Sequence, residues 1–362
     1  MIRVRCIVMS IENTLKIIKY IEFTHKNLGL PTLWSKIVDL ANLGTFLVAE
    51  RGRGKGSVLS AIEKLRHRDV IKINILTYKG LKKLEERLSN NQATIINRDL
   101  SSLYTDYLKD VGLNVLANLI TDHGVKAETG QYSLQIENAY ISFIGGCQPQ
   151  LLNRLNKLAG WEGMYKDRFM RFYFIYLRPV ERIHPAEPDV PQIEYIDPEQ
   201  VSIPSEIRED KRYKRLLNVI AEQTSENRAV IYTQQLLKAH AGLNERTVVV
   251  HKDLDVLNAL ILNLKLDTLL SRRDYSVSEP PVLDAGAYLI LFDIVLYGEV
   301  SRKALREKYK VSYSTIVRDM DILMSRGVVK GTYGKDRYTL NPKFYDVYVH
   351  PQVELLKEAE VE

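Results

Sequence analysis

Two rhythms of apolar residues alternate through residues 1–178. Ile11–His25 reads as a helix, and Thr45–Ala49 is a short unbroken apolar run, the mark of a buried strand. Ser57–His67 returns to helical spacing through Val58, Ile62 and Leu65. Val70–Tyr78 and Ala93–Asp99 read as strands, with Gly80–Leu88, rich in Lys and Glu, as a helix between them. Leu108–Ile120 follows as an amphipathic helix, Asn138–Ile144 as a strand, Leu151–Leu158 as a helix and Phe169–Leu177 as a last strand. Alternation of this kind predicts an α/β layer fold with a mainly parallel sheet.

Proline then interrupts the pattern. Six of the 12 prolines fall at 179, 185, 188, 191, 198 and 204, among Glu187, Asp189, Glu194, Asp197 and Glu199. Proline fixes φ and donates no hydrogen bond, so neither a helix nor a central strand survives there. Arg178–Ser205 is expected to be an extended connector. Pro280 and Pro281 mark a weaker break within Ser276–Asp284. The expected organisation is an α/β domain over 1–178, an acidic linker over 179–205, a helical domain over 206–283 and a last domain over 284–350.

Helical spacing dominates after the linker. Ala287–Tyr297 and Ser301–Tyr309 read as helices, Lys310-Val311-Ser312 as a turn, and Tyr313–Ser325 as a third helix through Ile316, Met320 and Leu323. Val328–Leu340 reads as strand, glycine turn and strand. The middle block looks like a weaker copy: Tyr232–Ala241, a turn at Gly242-Leu243-Asn244, then a long helix over Glu245–Leu262. Lys252-Asp253-Leu254-Asp255-Val256-Leu257 parallels Arg318-Asp319-Met320-Asp321-Ile322-Leu323, 66 residues apart. An internal repeat and a helical lid both fit this block. His240 and His251 have no partner set for a metal and read as satisfied histidines.

Composition narrows the class. The chain has 362 residues, is 45% apolar and carries a net charge of +6, which favours acidic partners. Residues 286–350 hold eleven Lys/Arg against seven Asp/Glu, so most of the excess is local. Two cysteines, Cys6 and Cys147, build neither a disulfide framework nor a four-cysteine zinc site. Charged residues interrupt every apolar run and the N-terminal segment, so neither a membrane span nor a secretion signal is expected. A cytoplasmic protein with free thiols is the expectation. Tyrosine is common, with 21 residues against 8 Phe.

Between the strand Thr45–Ala49 and the helix from Ser57 lies Ala49-Glu50-Arg51-Gly52-Arg53-Gly54-Lys55-Gly56-Ser57. Glycines let a backbone curl so that successive N–H groups face one anion, and the following helix adds its positive N-terminal end. The segment resembles the Walker A loop of P-loop NTPases. It departs from the usual form: Ala49 stands at the first glycine, and Gly56 at the hydroxyl position with Ser57 one residue late. Gly52, Gly54, Lys55, Gly56 and Ser57 match a variant found in some P-loop kinases. The plain alternative is a glycine-rich basic surface turn.

The resemblance extends along the chain to AAA+ ATPases. It implies that Gly52, Arg53, Gly54, Lys55, Gly56 and Ser57 bind ATP, that Ser57 and Asp99 hold Mg²⁺, and that Gln148 sits beside the γ-phosphate. Asp99 alternatively caps the next turn. The usual Glu after the metal-binding Asp is replaced by Leu100, leaving Glu50 and Asp106 as candidate bases. Arg168 and Arg171 are candidates to meet the γ-phosphate of a neighbour in a homo-oligomer. The C-terminal block resembles a winged-helix domain, which implies double-stranded DNA as partner. Ser312, Tyr313, Ser314, Thr315 and Arg318 then face base edges, and Lys330, Lys335 and Arg337 face phosphates.

The expected whole is an α/β P-loop NTPase core with a mainly parallel sheet, followed by helical and winged-helix (helix-turn-helix) domains. Archaeal replication initiators, mobile-element ATPases and ATP-regulated transcription factors are built this way. The implied function is a DNA-binding ATPase. The alternative is a non-enzymatic winged-helix regulator with a degenerate nucleotide fold. A small-molecule kinase is a poorer fit, because it needs no appended DNA-binding helices.

Overall fold

The computed structural model describes residues 10–74, 78–100, 109–129, 132–155, 167–179, 188–272, 282–332 and 335–361. The first described elements are two helices, α1 (Glu12–Thr24) and α2 (Gly29–Leu40). Then come β1 (Gly44–Val48), α3 (Lys55–Lys64), β2 (Asp69–Lys72), α4 (Tyr78–Lys82), α5 (Glu85–Leu88), β3 (Gln92–Asn97) and α6 (Lys109–Thr121). A hairpin of β4 (Val125–Thr129) and β5 (Tyr132–Ile136) precedes β6 (Tyr140–Cys147), α7 (Pro149–Leu155) and β7 (Phe169–Tyr173).

Five of these strands form one sheet in the order β2-β3-β6-β1-β7, with every pairing parallel. The α/β layer fold expected from the alternating pattern is therefore present. Side chains alternate across a strand. Phe46 and Val48 accordingly enter one core, and Leu47 and Ala49 the other. Both faces are covered, which is why β1 reads as a continuous apolar run instead of an alternating one.

Helices close the β7 edge of the sheet. The middle block is α8 (Ser205–Glu209), α9 (Lys211–Gln223), α10 (Glu226–Leu243), α11 (His251–Ala259) and α12 (Ile261–Leu269). Gln223 accepts from the Arg171 N–H at 2.7 Å and donates to its carbonyl at 2.9 Å, and Asn263 donates to the Tyr173 carbonyl. Side chains thus take up the edge groups that a sixth strand would have paired.

The long helix expected over Glu245–Leu262 is not continuous. It begins at His251 and breaks at Leu260. Glu245 sits at φ 57°, and Arg246 grips buried Asp253 with two bonds of 2.6 and 2.8 Å. The same carboxylate accepts from the Val250 N–H and so fixes the start of α11. Among the described residues of this block the elements are helices joined by loops, apart from β8 (Ser271–Arg272), which pairs with β9 (Val282–Leu283). Arg273 of the expected wing lies outside the described residues, as do Cys6 and Asp106.

The described part of the connector holds no strand or α-helix before Ser205, only a short 3-10 turn over Pro198–Gln200 capped by Asp197, and it is not free. The Ile196 N–H donates to the Gly242 carbonyl; in the loop before α11, the Thr247 carbonyl accepts from the Ser202 N–H and the Val249 N–H donates to the Ser202 carbonyl. A Cβ on Gly242 would meet the Ile196 carbonyl oxygen at 2.3 Å, so glycine is required for this approach.

The C-terminal module is α13 (Ala285–Tyr297), β10 (Glu299–Val300), α14 (Arg302–Tyr309), α15 (Tyr313–Ser325), β11 (Val329–Gly331) and β12 (Tyr338–Leu340). Its strands form an antiparallel sheet in the order β10-β12-β11. Asp284, Ser301 and Ser312 cap α13, α14 and α15 through their side chains. A short turn, α16 (Pro342–Phe344), leads to α17 (His350–Val361), which returns to pack on α1 and α11. Arg178 joins this closure by pairing with both Glu22 of α1 and Glu360 of α17.

Asp39, at the end of α2, is 1% exposed and lies under the amino ends of β3 and β6. It accepts bonds from Arg68, the Thr94 hydroxyl and the Ser142 hydroxyl. Burial alone would raise its pKa; the charges of Arg68 and Lys36, with the Thr94 hydrogen bond, outweigh that and hold the carboxyl far below its ordinary range. Lys36 donates to the His67 ring at 2.6 Å, and burial lowers the imidazole to about 3. His67 is therefore neutral at pH 7, and the working ion pairs of Asp39 are those with Arg68 and Lys36.

Candidate functional site

The loop after β1 leaves the carboxyl edge of the sheet. From β1 the chain moves toward β2, whereas from β6 it moves toward β7, so these neighbouring strands diverge in opposite directions. Open parallel sheets bind ligands in the crevice at such a point. Two glycines make the curl there, Gly52 at φ 78° and Gly54 at φ 81°. Gly54 caps α3, and the first intrahelical bond runs from the Val58 N–H to its carbonyl at 3.1 Å. The amides of Lys55, Gly56 and Ser57 consequently lack intrahelical acceptors.

The glycines differ in what surrounds them. A Cβ on Gly54 would strike Leu28 at 2.6 Å, so this residue permits a close approach to the core. A Cβ on Gly52 or Gly56 would meet nothing within 4 Å. The curl is therefore not flat, and Gly52 and Gly56 border open space.

Lys55 starts α3 and folds back on its own loop. Its ammonium donates to the carbonyls of Ala49 and, at 2.9 Å, Glu50. Burial lowers its pKa against the opposing pull of Glu50 and Asp99. A Cβ on Gly146 would meet the Arg98 carbonyl oxygen at 2.5 Å and the Lys55 side chain at 3.8 Å, so a bare backbone there lets three segments converge. Cys147, beside it, is buried, and burial pushes its thiol up to about 12. It is a packed floor under Lys55 and no nucleophile.

Asp99 is exposed just past β3, close enough for its charge to act on Lys55 and Cys147. Ser57 is half-buried in the first turn of α3. Gln148 follows β6, and its carbonyl accepts from the N–H groups of Leu151 and Leu152, which starts α7. Glu50 accepts from Gln150 at 3.1 Å. The structure thus brings Lys55, Ser57, Asp99 and Gln148 to one edge of the sheet.

Arg171 and Arg53 depart from expectation, and Arg168 lies away from its own loop. Arg171 is 1% exposed and pairs with Asp267 of α12 at 2.9 Å. Strand alternation at the sheet edge points it into the covering helices, so it is a structural tie and is not offered to a neighbour. Arg168 precedes β7 at the amino end of the sheet and donates to Asn118. It stands five strand residues from the loop edge, roughly 16 Å at ~3.3 Å per residue, beyond reach of its own loop. Arg53 was expected on phosphate, yet its guanidinium stacks over Phe292 at 4.7 Å and Tyr176 at 5.5 Å. The Tyr176 hydroxyl donates to the Arg53 carbonyl at 2.9 Å. Neither aromatic residue stands out in the sequence; the abundance of tyrosine was the one available signal.

The expected nucleic-acid residues gather on the C-terminal module. Tyr313, Ser314, Arg318, Lys330, Lys335 and Arg337 are exposed, as is the capping Ser312, with Thr315 half-buried. The Ser312 hydroxyl is already committed to the Thr315 N–H. Arg318 rests against Asp319, and Arg302 lies between the rings of Tyr313 and Tyr338 at 5.4 and 5.3 Å. Asp336 holds Arg302 at 2.8 Å and fixes the tip of the hairpin onto α14.

A hydroxyl–imidazole–carboxylate chain runs from Thr14 through His240 to Asp253, at 2.9 and 2.5 Å. All three residues are fully buried, so no substrate reaches them, and the chain clasps α1 to α10 and α11. His240 is thus a satisfied core histidine; exposed His251 contacts Arg212 and Asp210. Among the described residues no cluster of three or more His, Cys, Asp or Glu is placed to hold a metal, and no helix is long and apolar enough to cross a membrane. Comparison with models of known protein families gives no match, and comparison with curated proteins gives none.

Proposed function

We propose that this chain is a DNA-binding ATPase, holding ATP with Mg²⁺ at loop 49–57 and duplex DNA on its C-terminal module. The observation that carries the reading is the open glycine curl at the divergence of β1 and β6, with Lys55, Ser57 and Asp99 beside it. The first-turn amides of α3, together with the Lys55 ammonium, the Ser57 hydroxyl and the Asp99 carboxylate, are of the chemistry that a magnesium triphosphate takes. Mg²⁺ takes one or two protein oxygens and completes its shell with phosphate and water, which neutralises developing charge.

Lys55 would exchange the carbonyls of Ala49 and Glu50 for phosphate oxygens, and Asp99 and Ser57 would orient the metal. Gln148 stands where it can face the terminal phosphate. Arg168 can act only on the loop of another copy, so that part of the reading requires a homo-oligomer. On the C-terminal module, three helices and an antiparallel three-stranded sheet support a winged helix, with α15 in the major groove and the hairpin against phosphates.

Duplex binding is expected to be salt-dependent. Replacing Lys330, Lys335 or Arg337 singly with alanine should flatten the log-log salt slope by about 1 if that residue neutralises one phosphate. Fluorescence anisotropy across a salt series measures this.

The test of the whole reading is Mg·ATP turnover with and without duplex DNA at two salt concentrations. Turnover that DNA alters, with the effect fading at high salt, supports it. Mg·ATP binding without turnover selects the second reading, a non-enzymatic regulator, which the Glu50–Gln150 bond and the burial of Arg171 favour. Absence of Mg·ATP binding refutes the nucleotide site.

A further inference from the structure

Arg53 joins loop 49–57 to the C-terminal module. Arg53 lies between Gly52 and Gly54, the two residues that make the curl. Its guanidinium sits over Phe292, from α13, and over Tyr176, from the segment after β7. The two rings are 5.0 Å apart and tilted against each other. Phe292 is 6% exposed, so the contact is largely shielded from water. A second bond fixes the same helix: the Tyr288 hydroxyl of α13 donates to the Phe174 carbonyl. The first helix of the module is thereby docked onto the carboxyl end of β7, beside the loop.

We propose that Arg53 is a positioning residue that couples occupancy of the loop to the seating of α13: phosphate and the Phe292–Tyr176 pair compete for one guanidinium. The proposal rests on the nucleotide reading of the loop. A guanidinium on an aromatic face is held by the ring quadrupole, whereas a phosphate offers paired charged acceptors. The rings take the face of the guanidinium and a phosphate its N–H edge, and it is the turn toward an anion at the amides of Lys55, Gly56 and Ser57 that draws the group off the rings. A multiply charged anion at the neighbouring amides draws Arg53 toward itself and loosens the grip on α13. By linkage, whatever tightens α13 against the rings lowers affinity for the anion.

This competition has a direction that a purely structural contact lacks. Phe292→Leu keeps apolar volume and removes the aromatic face. It should free Arg53 and tighten Mg·ATP binding about three- to tenfold, the equilibrium equivalent of one partly shielded cation–π contact. Arg53→Ala should weaken binding, and Phe292→Leu added to Arg53→Ala should change it less than about twofold. Isothermal titration of Mg·ATP into the four full-length proteins gives the cycle, with thermal melts to confirm folding. Duplex affinity, measured with and without Mg·ATP, should shift by about fivefold or more in the wild type and by less than twofold in Arg53→Ala.

Equal effects of Phe292→Leu in both backgrounds, or none in either, would overturn the coupling while leaving the nucleotide site standing. A wild-type protein that binds no Mg·ATP would overturn both. If Phe292→Leu fails to fold, Tyr176→Leu tests the other ring, with the same tightening expected and the same absence of it contradicting the proposal.

Discussion

Lys55→Ala should reduce Mg·ATP turnover by about two to three orders of magnitude, the size of losing a preorganised charge at a developing anion. The ammonium starts the helix that closes the curl, and Asp99 and Glu50 act on its charge. Its removal leaves the carbonyls of Ala49 and Glu50 without that donor. The associated stability loss is on the order of 1–3 kcal/mol, small enough to keep the protein folded. Duplex affinity without nucleotide should stay within about twofold of wild type, because the Lys55 ammonium is bonded to the carbonyls of its own loop and not to α15 or the hairpin. Steady-state turnover and anisotropy on the same preparation check both halves. A mutant as active as the wild type would show that the site is elsewhere.

Asp39→Asn should destabilise the fold by about 3–5 kcal/mol, because it strands buried cations without their counter-charge. Lys36 and Arg68 are 2% and 6% exposed at their side chains, and both converge on this carboxylate. Thr94 and Ser142 also lose a charged acceptor, which loosens the amino ends of β3 and β6. The same cluster sets the response to acid. His67 is held near 3, below its unfolded value, so the unfolded chain binds more protons as pH falls from about 6.5. Asp39 is held below its unfolded value too, so its contribution is fully present above about pH 4 and is lost below that. Both effects run the same way: the midpoint of urea unfolding should fall below about pH 6.5 through His67, and further below about pH 4 through Asp39. Asp39→Asn should remove the Asp39 part. A wild-type midpoint that rises on acidification would contradict this assignment.

The parts of the fold legible in the sequence were those with a clear solvent side or a clear punctuation mark. β1 showed as an apolar run ending in glycines, and α15 as a helix behind the capping Ser312. α2 gave no such signal. All twelve of its residues are buried, Lys36 and Asp39 included, so no polar stripe marks its period. The β4–β5 hairpin and α17 were likewise unassigned.

Candidate chemistry was legible where it was local. Lys55, Ser57 and Asp99 lie near one another because strand ends bring them there, and each sat at the end of an element the sequence marked. Arg171 misled because its burial depends on Asp267 and Gln223, 96 and 52 residues away. Arg53 misled for a related reason: Phe292 reaches it from a block that the sequence placed in a separate domain. Local pattern finds a loop; it does not show which distant side chain will claim a charge.

The most direct measurement is a crystal structure of the full chain grown with Mg·ATP. The account expects phosphate density in the curl from Gly52 to Ser57, with the Lys55 ammonium turned from the Ala49 carbonyl onto it. Nucleotide bound away from that curl, or a curl that stays unoccupied at millimolar Mg·ATP, would contradict it.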